Sequence, residues 1–279
     1  MRVQAFAKIN LSLRVLGVRA DGYHELRTIF QSIALHDTLT IRRARGPFRL
    51  SCDDPACPGD DTNLVWRAAA RLWTASGRRG APRDIAVDLH KRIPVQAGLG
   101  GGSSDAAAAL RALGRLWRVD EARVRAVGAA IGADVPYFFE GGRVLGLERG
   151  DLLFPLVDEP AAWVVLVLPA FGVSTKEAFG WWDEGQRAPR VLSLAKGELV
   201  NDLEGPVTAH HPRIARLVAA LRRAGASHAA MSGSGSAVFG LFKARTAAVG
   251  AAAALGGRSR RALVSRTLAR AKYRALARI

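Results

Sequence analysis

The chain has 279 residues, 49% of them hydrophobic, and a formal net charge of +17 at pH 7. This length and apolar content are enough to bury the core of one large domain or two closely packed ones, which excludes a disordered chain. The longest apolar run, residues 161–168, falls far short of the roughly 20 residues that a membrane-spanning helix needs. Because the first residues also lack the apolar segment of a secretory signal, we expect a cytoplasmic protein that does not enter a membrane.

The positive charge predicts an anionic partner without identifying it. Nucleic acid, an anionic membrane surface and small phosphorylated molecules would all be attracted by such a field. Much of the excess lies in residues 258–279, which contain eight basic residues and no acidic one. This tail lacks the interleaved aromatic residues of a single-strand-binding surface, so we favour a solvated basic face over a docking arm.

The first half of the chain begins with a pattern typical of a β-sheet. Apolar residues alternate within residues 3–16, a turn follows at Asp21-Gly22, and residues 38–41 suggest another strand. The later first-half patterns predict a helix that begins after Asn63 and ends at Gly77, a strand at 85–90, a helix from Ser103 or Ser104 through Leu116, and a helix from about Asp120 to Ile131.

The second half repeats none of these motifs. Its patterns predict a strand at 163–168, a helix beginning near Thr175, a helix after Pro212, strands at 228–231 and 237–242, a helix at 244–255 and a closing strand at 262–268. Strands and helices are mixed irregularly, which favours an α+β fold over a doubly wound parallel sheet. We expect a boundary near residue 150, which gives domains of residues 1–150 and 151–279.

The most distinctive motif is the glycine-rich segment of residues 94–110, whose residues 94–104 we call the glycine loop. Gly98 and the glycines at 100–102 run directly into an alanine-rich helical pattern that Ser103 or Ser104 can cap. Glycines let phosphate oxygens approach the backbone, and the first N–H groups of a helix lie unpaired at the positive end of its dipole. A flexible turn is the alternative, but the ordered surroundings favour a phosphate-binding loop. The motif fits neither the Walker loop, which needs a following lysine, nor the dinucleotide-binding motif.

Three positions outside the loop carry side chains suited to chemistry. Asp134 lies among apolar and aromatic residues that would partly desolvate it and position it as a base, although it could simply be a turn residue before Pro136. Lys8 lies within an apolar strand, where it could stabilise a transferring phosphoryl group or equally be an exposed strand lysine. Tyr23 and His24 follow a turn, where loops often present recognition groups.

Five blocks in fixed order carry a resemblance to a known family. The GHMP kinases, which include galactokinase, homoserine kinase, mevalonate kinase and phosphomevalonate kinase, resemble this chain at residues 7–11, 19–26, 94–104, 132–136 and 231–235. The pairing of Ala-Lys-Ile-Asn-Leu with Ala-Asp-Gly-Tyr-His is similar to the branch that phosphorylates 4-diphosphocytidyl-2-C-methyl-D-erythritol on the non-mevalonate route to isoprenoids. The blocks extend almost to residue 270, so the resemblance covers essentially the whole chain.

This resemblance implies a two-domain α+β kinase with its active site in the cleft between the domains. Residues 1–150 would bind ATP, and residues 151–279 would complete the substrate cleft. The γ-phosphoryl group of ATP would pass to the 2-hydroxyl of the substrate, with Asp134 as the catalytic base. Lys8 would orient that base and stabilise the developing charge, while most of the catalysis would come from alignment and electrostatic stabilisation.

The resemblance also implies a set of binding residues. The ATP site would consist of Asn63 and Lys91 near the adenine, together with Pro94, Val95, Gln96, Ala97, Gly98, Leu99, Gly100, Gly101, Gly102, Ser103 and Ser104 around the phosphates. The substrate would be held by Asn10, Tyr23, His24 and Phe179, and the turn of residues 231–236 would support the glycine loop. No acidic metal ligand is identifiable, so Mg²⁺ is expected to arrive with ATP. No role follows for Trp181-Trp182 or for the basic tail.

Two alternatives remain open at this point. The chain could be another GHMP kinase that acts on mevalonate or homoserine, or a basic nucleic-acid-binding protein on a related fold. The kinase interpretation predicts a small-molecule substrate and no nucleic-acid partner, in a monomer or a homodimer.

Overall fold

The computed structural model describes residues 1–185 and 199–278, and its strands form two sheets. The first part of the chain contains β1 (Arg2–Val18), β2 (His24–Pro47), β3 (Arg49–Cys52), α1 (Leu64–Ala75), β4 (Arg83–His90), α2 (Gly101–Trp117), α3 (Glu121–Ile131), α4 (Tyr137–Glu140), β5 (Arg143–Glu148) and β6 (Leu152–Pro155). The second part contains β7 (Trp163–Pro169), α5 (Thr175–Gly185), α6 (Glu204–His210), α7 (Pro212–Arg223), β8 (His228–Met231), β9 (Val238–Phe242), α8 (Arg245–Leu255), β10 (Arg260–Arg266) and α9 (Arg270–Leu276). This mixture of helices and mainly antiparallel strands confirms the predicted α+β class.

Strand β1 contributes to the cores of both halves. Near Val3 it packs with the apolar residues of α1 and α2, near Ile9 it packs with β7 and β9, and near Val15 it packs with α6 and α7. Of the polar residues that alternate with this apolar series, Lys8, Asn10 and Ser12 are also buried, while Gln4 and Arg14 are half-buried. Both faces of the strand are therefore covered, although the period-two pattern is typical of a strand with one solvated face.

The six-stranded sheet has the order β3-β4-β2-β5-β6, with β1 hydrogen-bonded to β2. The pairing of β1 with β2 is antiparallel and runs from Arg2 opposite Thr40 to Val18 opposite His24. The register shifts just before Lys8, between Phe6 and Lys8, and twice more further along the pair. Such bulges redirect side chains, and they are frequent beside active sites.

The second sheet has the order β10-β7-β9-β8 and is antiparallel throughout. Its central strand β7 is the apolar run of the sequence, and the residues from Val164 to Val167 are fully buried. The helices α6, α7 and α8 contribute to the apolar cluster that covers one face of this sheet. Among the described residues, no helix has both the length and the apolar character needed to cross a bilayer.

Most of the predicted elements are confirmed. Some are longer than predicted, and the structure also contains short elements that the sequence did not predict. The strand predicted at 38–41 is one part of β2, which has 24 residues. The missed elements are β3, β5, β6, α4, α6 and α9. Each has only four to seven residues, and such short segments carry too little periodicity to be distinguished from loops.

The prediction that Ser103 or Ser104 caps the glycine-loop helix is wrong. Helix α2 begins at Gly101, and its N-cap is Gly100 in the left-handed conformation with no side-chain cap. The hydroxyl of Ser104 instead donates to the carbonyl of Phe6 at 2.7 Å. This serine therefore attaches α2 to β1, and the first N–H groups of the helix receive no cap from a serine side chain.

The chain segment around residue 150 is the turn of the β5–β6 hairpin, which belongs to the six-stranded sheet. The C-terminal helix α9 returns to this half, where the Tyr273 hydroxyl donates to the carbonyl of Phe138 at 2.6 Å. Tyr273 also packs against Phe6, with ring centroids 5.6 Å apart. The division into residues 1–150 and 151–279 stays a prediction.

Candidate active site

A cleft of about 1100 Å³ is lined by residues from both parts of the chain. The residues that were predicted for the site and that line this cleft are Lys8, Asn10, Tyr23, His24, Asn63, Lys91, Pro94, Val95, Gln96, Ala97, Gly98, Leu99, Gly100, Gly101, Gly102, Ser103, Asp134 and Phe179. Ser104 is the predicted residue that does not line the cleft, since it is buried against β1. The structure therefore brings together positions that lie as far apart in the sequence as residues 8 and 179.

A lysine–aspartate pair lies at one end of the cleft. The Lys8 ammonium is 3.6 Å from the Asp134 carboxylate and donates to the side-chain oxygen of Asn10 at 2.6 Å. Lys8 is only 4% exposed, so the alternative of an exposed strand lysine is wrong. The Asn10 amide in turn donates to the Thr28 hydroxyl at 2.7 Å, which fixes its orientation. A buried cation held in this way can stabilise negative charge that develops beside it.

The carboxylate of this pair is better placed to meet a substrate than the ammonium. The Asp134 side chain is 36% exposed, against 5% for Lys8, and it follows α3 in the turn that leads into α4. A carboxylate next to a cation and open to the cleft can accept a proton from an alcohol positioned there.

The glycine loop is fixed by a second glycine-rich turn from the other half of the chain, residues 232–235, which we call the covering turn. A Cβ atom on Gly98 would lie 2.1 Å from the carbonyl oxygen of Ser232. The Ser232 hydroxyl donates to the carbonyl of Gly98 at 3.0 Å and accepts the backbone N–H of Asn10 at 3.3 Å. The loop thus lies against both the covering turn and β1, with the uncapped start of α2 next to the cleft. Unpaired N–H groups at a helix start are suited to binding phosphate.

A second lysine near the loop, Lys91, is paired with two carboxylates of the protein. The Lys91 ammonium contacts the carboxylates of Asp37 at 2.5 Å and Asp105 at 2.8 Å, and all three side chains are at most 4% exposed. Burial alone lowers the pKa of Lys91, but the carboxylates of Asp105 and Asp37 raise it above its ordinary value. Asp37 also accepts the backbone N–H groups of Arg92 and Ile93. This cluster joins β2, the end of β4 and α2 beneath the loop, and the predicted contact of Lys91 with adenine stays a prediction.

Asn63 has a structural role next to the cleft. It is the N-cap of α1, where its side-chain oxygen accepts the N–H of Val65 at 2.9 Å. Its amide donates to the carbonyl of Pro58 at 2.6 Å and to the Cys57 sulfur at 3.3 Å. These bonds hold the wall of the cleft in place, and the predicted contact with adenine stays a prediction here as well.

The other end of the cleft is aromatic. The His24 ring stacks on Phe179 with centroids 4.4 Å apart, and its Nε2 lies 2.8 Å from the Asp183 carboxylate. Trp182, to which the sequence assigned no role, contacts the same imidazole edge-on at 5.5 Å. Tyr23 is exposed at the rim, with the Arg149 guanidinium 5.2 Å from the centre of its ring. The surfaces offered here are suited to a flat, hydrogen-bonding ring.

Sequence reasoning missed several residues of this site. Asp183 follows Phe179 by four positions, which places both on one face of α5, so helical spacing could have identified it. Thr28 and Arg149 carry no local signal. Thr28 meets Asn10 only through the pairing of β1 with β2, and Arg149, just after β5, meets the Tyr23 ring only because β5 pairs with β2. Asn201 and Glu204, which hold the covering turn from behind, were also not identified.

We predict that Gly98→Ala weakens ATP binding and lowers the melting temperature. A Cβ atom at this position would overlap Ser232, and the φ of +73° is strained for alanine, a cost of order 1–3 kcal/mol from the dihedral alone. The measurements are thermal unfolding and ATP titration by calorimetry.

The matched control is Gly102→Ala in the same loop. Its Cβ would meet only a Leu64 methyl group at 3.5 Å, an ordinary contact, and alanine favours a helix over glycine by roughly 0.5–1 kcal/mol. We expect an unchanged or higher melting temperature for this control. Equal melting temperatures for the two variants would contradict the argument from the close approach.

Comparison with known proteins identifies the family. Residues 63–142 match the GHMP kinase N-terminal domain, and residues 188–259 match the GHMP kinase C-terminal domain. The 4-diphosphocytidyl-2-C-methyl-D-erythritol kinase of Moorella thermoacetica is 41% identical over 259 residues, which cover 86% of this chain and 90% of that protein. The kinase of the same name from Anaeromyxobacter dehalogenans strain 2CP-C is 44% identical over 269 residues, 91% of this chain and 84% of that protein.

Solved structures place the fold in the same group. A crystal structure of 4-(cytidine 5'-diphospho)-2C-methyl-D-erythritol kinase has a TM-score of 0.79 and 36% identity, with 96% of this chain and 99% of that chain covered. Homoserine kinase from Cytophaga hutchinsonii, at 19% identity and a TM-score of 0.66 over 96% of this chain and 95% of that chain, shares the fold. This chain therefore belongs to the 4-diphosphocytidyl-2-C-methyl-D-erythritol kinase family of the GHMP kinases.

Proposed function

We propose that this enzyme transfers the γ-phosphoryl group of ATP to the 2-hydroxyl of 4-diphosphocytidyl-2-C-methyl-D-erythritol, with Asp134 and Lys8 as its catalytic residues. The observation that carries the proposal is that one cleft holds the Lys8–Asp134 pair, the glycine loop and an aromatic end. A substrate that carries both a hydroxyl group and a cytosine suits this cleft, because the hydroxyl can meet the Lys8–Asp134 pair and the cytosine can meet the aromatic side chains. The family relatives are named for this substrate.

The proposed chemistry divides the work between the two catalytic residues. The Asp134 carboxylate accepts the proton as the substrate oxygen bonds to the γ-phosphorus, and the bond from that phosphorus to the β,γ-bridging oxygen breaks to release ADP. The Lys8 ammonium, held by Asn10 at 2.6 Å, stabilises the charge on the transferring group. Because the protein forms no covalent bond to the transferring group in this step, alignment of the reactants and electrostatic stabilisation account for most of the rate enhancement.

The proposed nucleotide site is the glycine loop and the start of α2. Residues 94–103 line the cleft, and backbone N–H groups rather than lysines would face the phosphates. We also propose that Asn63 and Lys91 lie near the adenine. Because Asn63 is already bonded to Pro58 and Lys91 to Asp105, we expect both to shape this part of the site.

A Mg²⁺ ion is proposed to arrive with the nucleotide. Among the described residues, no cluster of three or more acidic, histidine or cysteine side chains could hold a metal by itself. Mg²⁺ prefers oxygen ligands and usually keeps phosphates and waters in its shell, and the Ser103 hydroxyl, which lines the cleft at the start of α2, is an oxygen that would be available to it. The ion would neutralise phosphate charge when bound.

We assign the aromatic end of the cleft to the cytidine. Tyr23, His24 and Phe179 provide rings, and Asp183 orients the imidazole of His24. Neither a nucleic acid nor a membrane enters this proposal. The cytoplasmic location and the monomeric or homodimeric state stay predictions.

The experiment that tests the proposed function is an ADP-release assay with a panel of alcohols. We expect turnover with 4-diphosphocytidyl-2-C-methyl-D-erythritol and none with mevalonate, homoserine or galactose. Activity with one of those three and none with the cytidine compound would assign the chain to a different substrate. Tight RNA binding at physiological salt without kinase activity would support the nucleic-acid alternative instead.

We predict that Asp134→Asn lowers kcat by about 10²- to 10⁴-fold, the usual contribution of a general base. The amide cannot accept the proton, whereas the glycine loop is untouched, so the affinity for ATP is expected to stay at the wild-type value. Stopped assays measure kcat, and calorimetry with a non-hydrolysable ATP analogue confirms that the variant is folded. Wild-type turnover in this variant would remove Asp134 from the mechanism.

We predict that Tyr23→Ala raises the KM for the cytidine substrate about 5- to 150-fold, which is the equivalent of about 1 to 3 kcal/mol for one base stack. Tyr23→Phe retains the ring and serves as the matched control, with an expected KM near wild type. Steady-state kinetics at saturating ATP measure both. An unchanged KM in the alanine variant would place the cytosine elsewhere.

A further inference from the structure

The covering turn lies directly on Lys8 and Asn10. A Cβ atom on Gly233 would lie 3.1 Å from the side-chain oxygen of Asn10 and 3.4 Å from the Lys8 ammonium. The same turn meets the glycine loop through Ser232 and Gly98. A displacement of this turn would therefore move both the cation and the proposed phosphate site.

One buried side chain outside the cleft holds this turn from behind. The Asn201 amide donates to the carbonyl of Met231 at 2.9 Å and to that of Gly233 at 2.8 Å. Its side-chain oxygen accepts the N–H of Leu203 at 3.0 Å, and the residue is 5% exposed. One amide proton is thus committed to Gly233 in the covering turn and the other to Met231, the last residue of β8 before the turn, and an aspartate of the same shape could supply neither.

A neighbouring carboxylate completes the attachment. Glu204 accepts the backbone N–H of Met231 at 2.7 Å, while burial raises the pKa of its carboxyl. Only an acceptor is used in this bond, so glutamine can replace glutamate. Asn201 therefore holds the covering turn directly at Gly233, and Asn201 and Glu204 together hold Met231, the residue from which the turn begins.

The segment that carries Asn201 is also bonded to the strand that carries Lys8. The N–H of Leu13 donates to the carbonyl of Val200 at 2.8 Å, and the N–H of Asp202 donates to the carbonyl of Leu13 at 2.8 Å. The Asp202 carboxylate accepts the N–H of Val15 at 3.0 Å. Strand β1 and the covering turn are therefore attached to the same short segment, which fixes the distance between them.

We propose that Asn201 is a positioning residue for phosphoryl transfer. Its amide holds Gly233 against Lys8 and Asn10, so that the ammonium points at the transferring group while the glycine loop keeps its shape. This inference rests on the proposed function, in which Lys8 stabilises the transferring phosphoryl group. Small misplacements of aligned groups lower rates steeply, by about 10²-fold for 1 Å.

The test compares Asn201→Asp and Asn201→Ala with the wild-type chain in the same ADP-release assay. We expect kcat to fall by about 10- to 100-fold, while the KM values for ATP and the cytidine substrate change little. Val207→Ala is the stability control, because Val207 is fully buried in α6 in the C-terminal core and is separate from the bonds to the turn. It is expected to lower the melting temperature without lowering kcat.

A double-mutant cycle separates positioning from a general loss of structure. In a Lys8→Met background the ammonium that Asn201 positions is gone, so Asn201→Ala is expected to lower kcat by a smaller factor than it does in the wild-type chain. If the Asn201 variants fail to fold, Glu204→Ala and Glu204→Gln repeat the comparison, with a lower kcat expected for alanine and near wild-type kcat for glutamine.

The outcomes distinguish the inference from the proposed function. Wild-type kcat in Asn201→Ala, or equal loss of kcat in both Lys8 backgrounds, overturns the inference and leaves the proposed function standing. Inactivity of the wild-type chain with the cytidine substrate overturns both.

Discussion

The close approach of two glycine-rich turns is the contact on which the candidate site depends. The carbonyl oxygen of Ser232 occupies the space that a side chain at residue 98 would need, so the two turns can meet only through bare backbone. This contact joins segments that are 134 positions apart in the sequence. Together with the bond from the Lys8 N–H to the Leu99 carbonyl, it joins the glycine loop, the covering turn and β1 in one group, of which Lys8 is a part.

The two buried lysines of this region differ in how completely neighbouring groups compensate their charge. Lys91 is matched by the carboxylates of Asp37 and Asp105, and a buried cation without such partners would be strongly destabilising. Lys8 has a neutral amide at 2.6 Å and a partly exposed carboxylate at 3.6 Å. Its charge is less completely compensated, which suits a group that stabilises a new negative charge beside it.

Several residues of the basic C-terminal segment are bonded to the first half of the chain. The Arg270 guanidinium donates to the carbonyls of Arg143 and Leu156, and Arg274 contacts both the carboxylate and the carbonyl of Glu140. Part of the segment thus attaches the C-terminal helix to the first half of the chain. Other basic residues, such as Arg258 and Arg261, are exposed, as expected for a solvated basic face.

The sequence by itself determined the fold class and most elements, and it predicted which residues belong to the site. A long alternating strand, a glycine run before an alanine-rich helix and an aspartate flanked by apolar and aromatic residues are local patterns, and each is readable because it depends on neighbours in the chain. The tertiary structure decided which of these groups meet and which are already committed to other bonds. The bond of Ser104 to Phe6, the partners of Lys91, the His24–Phe179 stack and the bond of Asn201 to Gly233 all depend on contacts between residues that are distant in sequence. No local period or spacing records such contacts, because they arise only when the two sheets pack around β1.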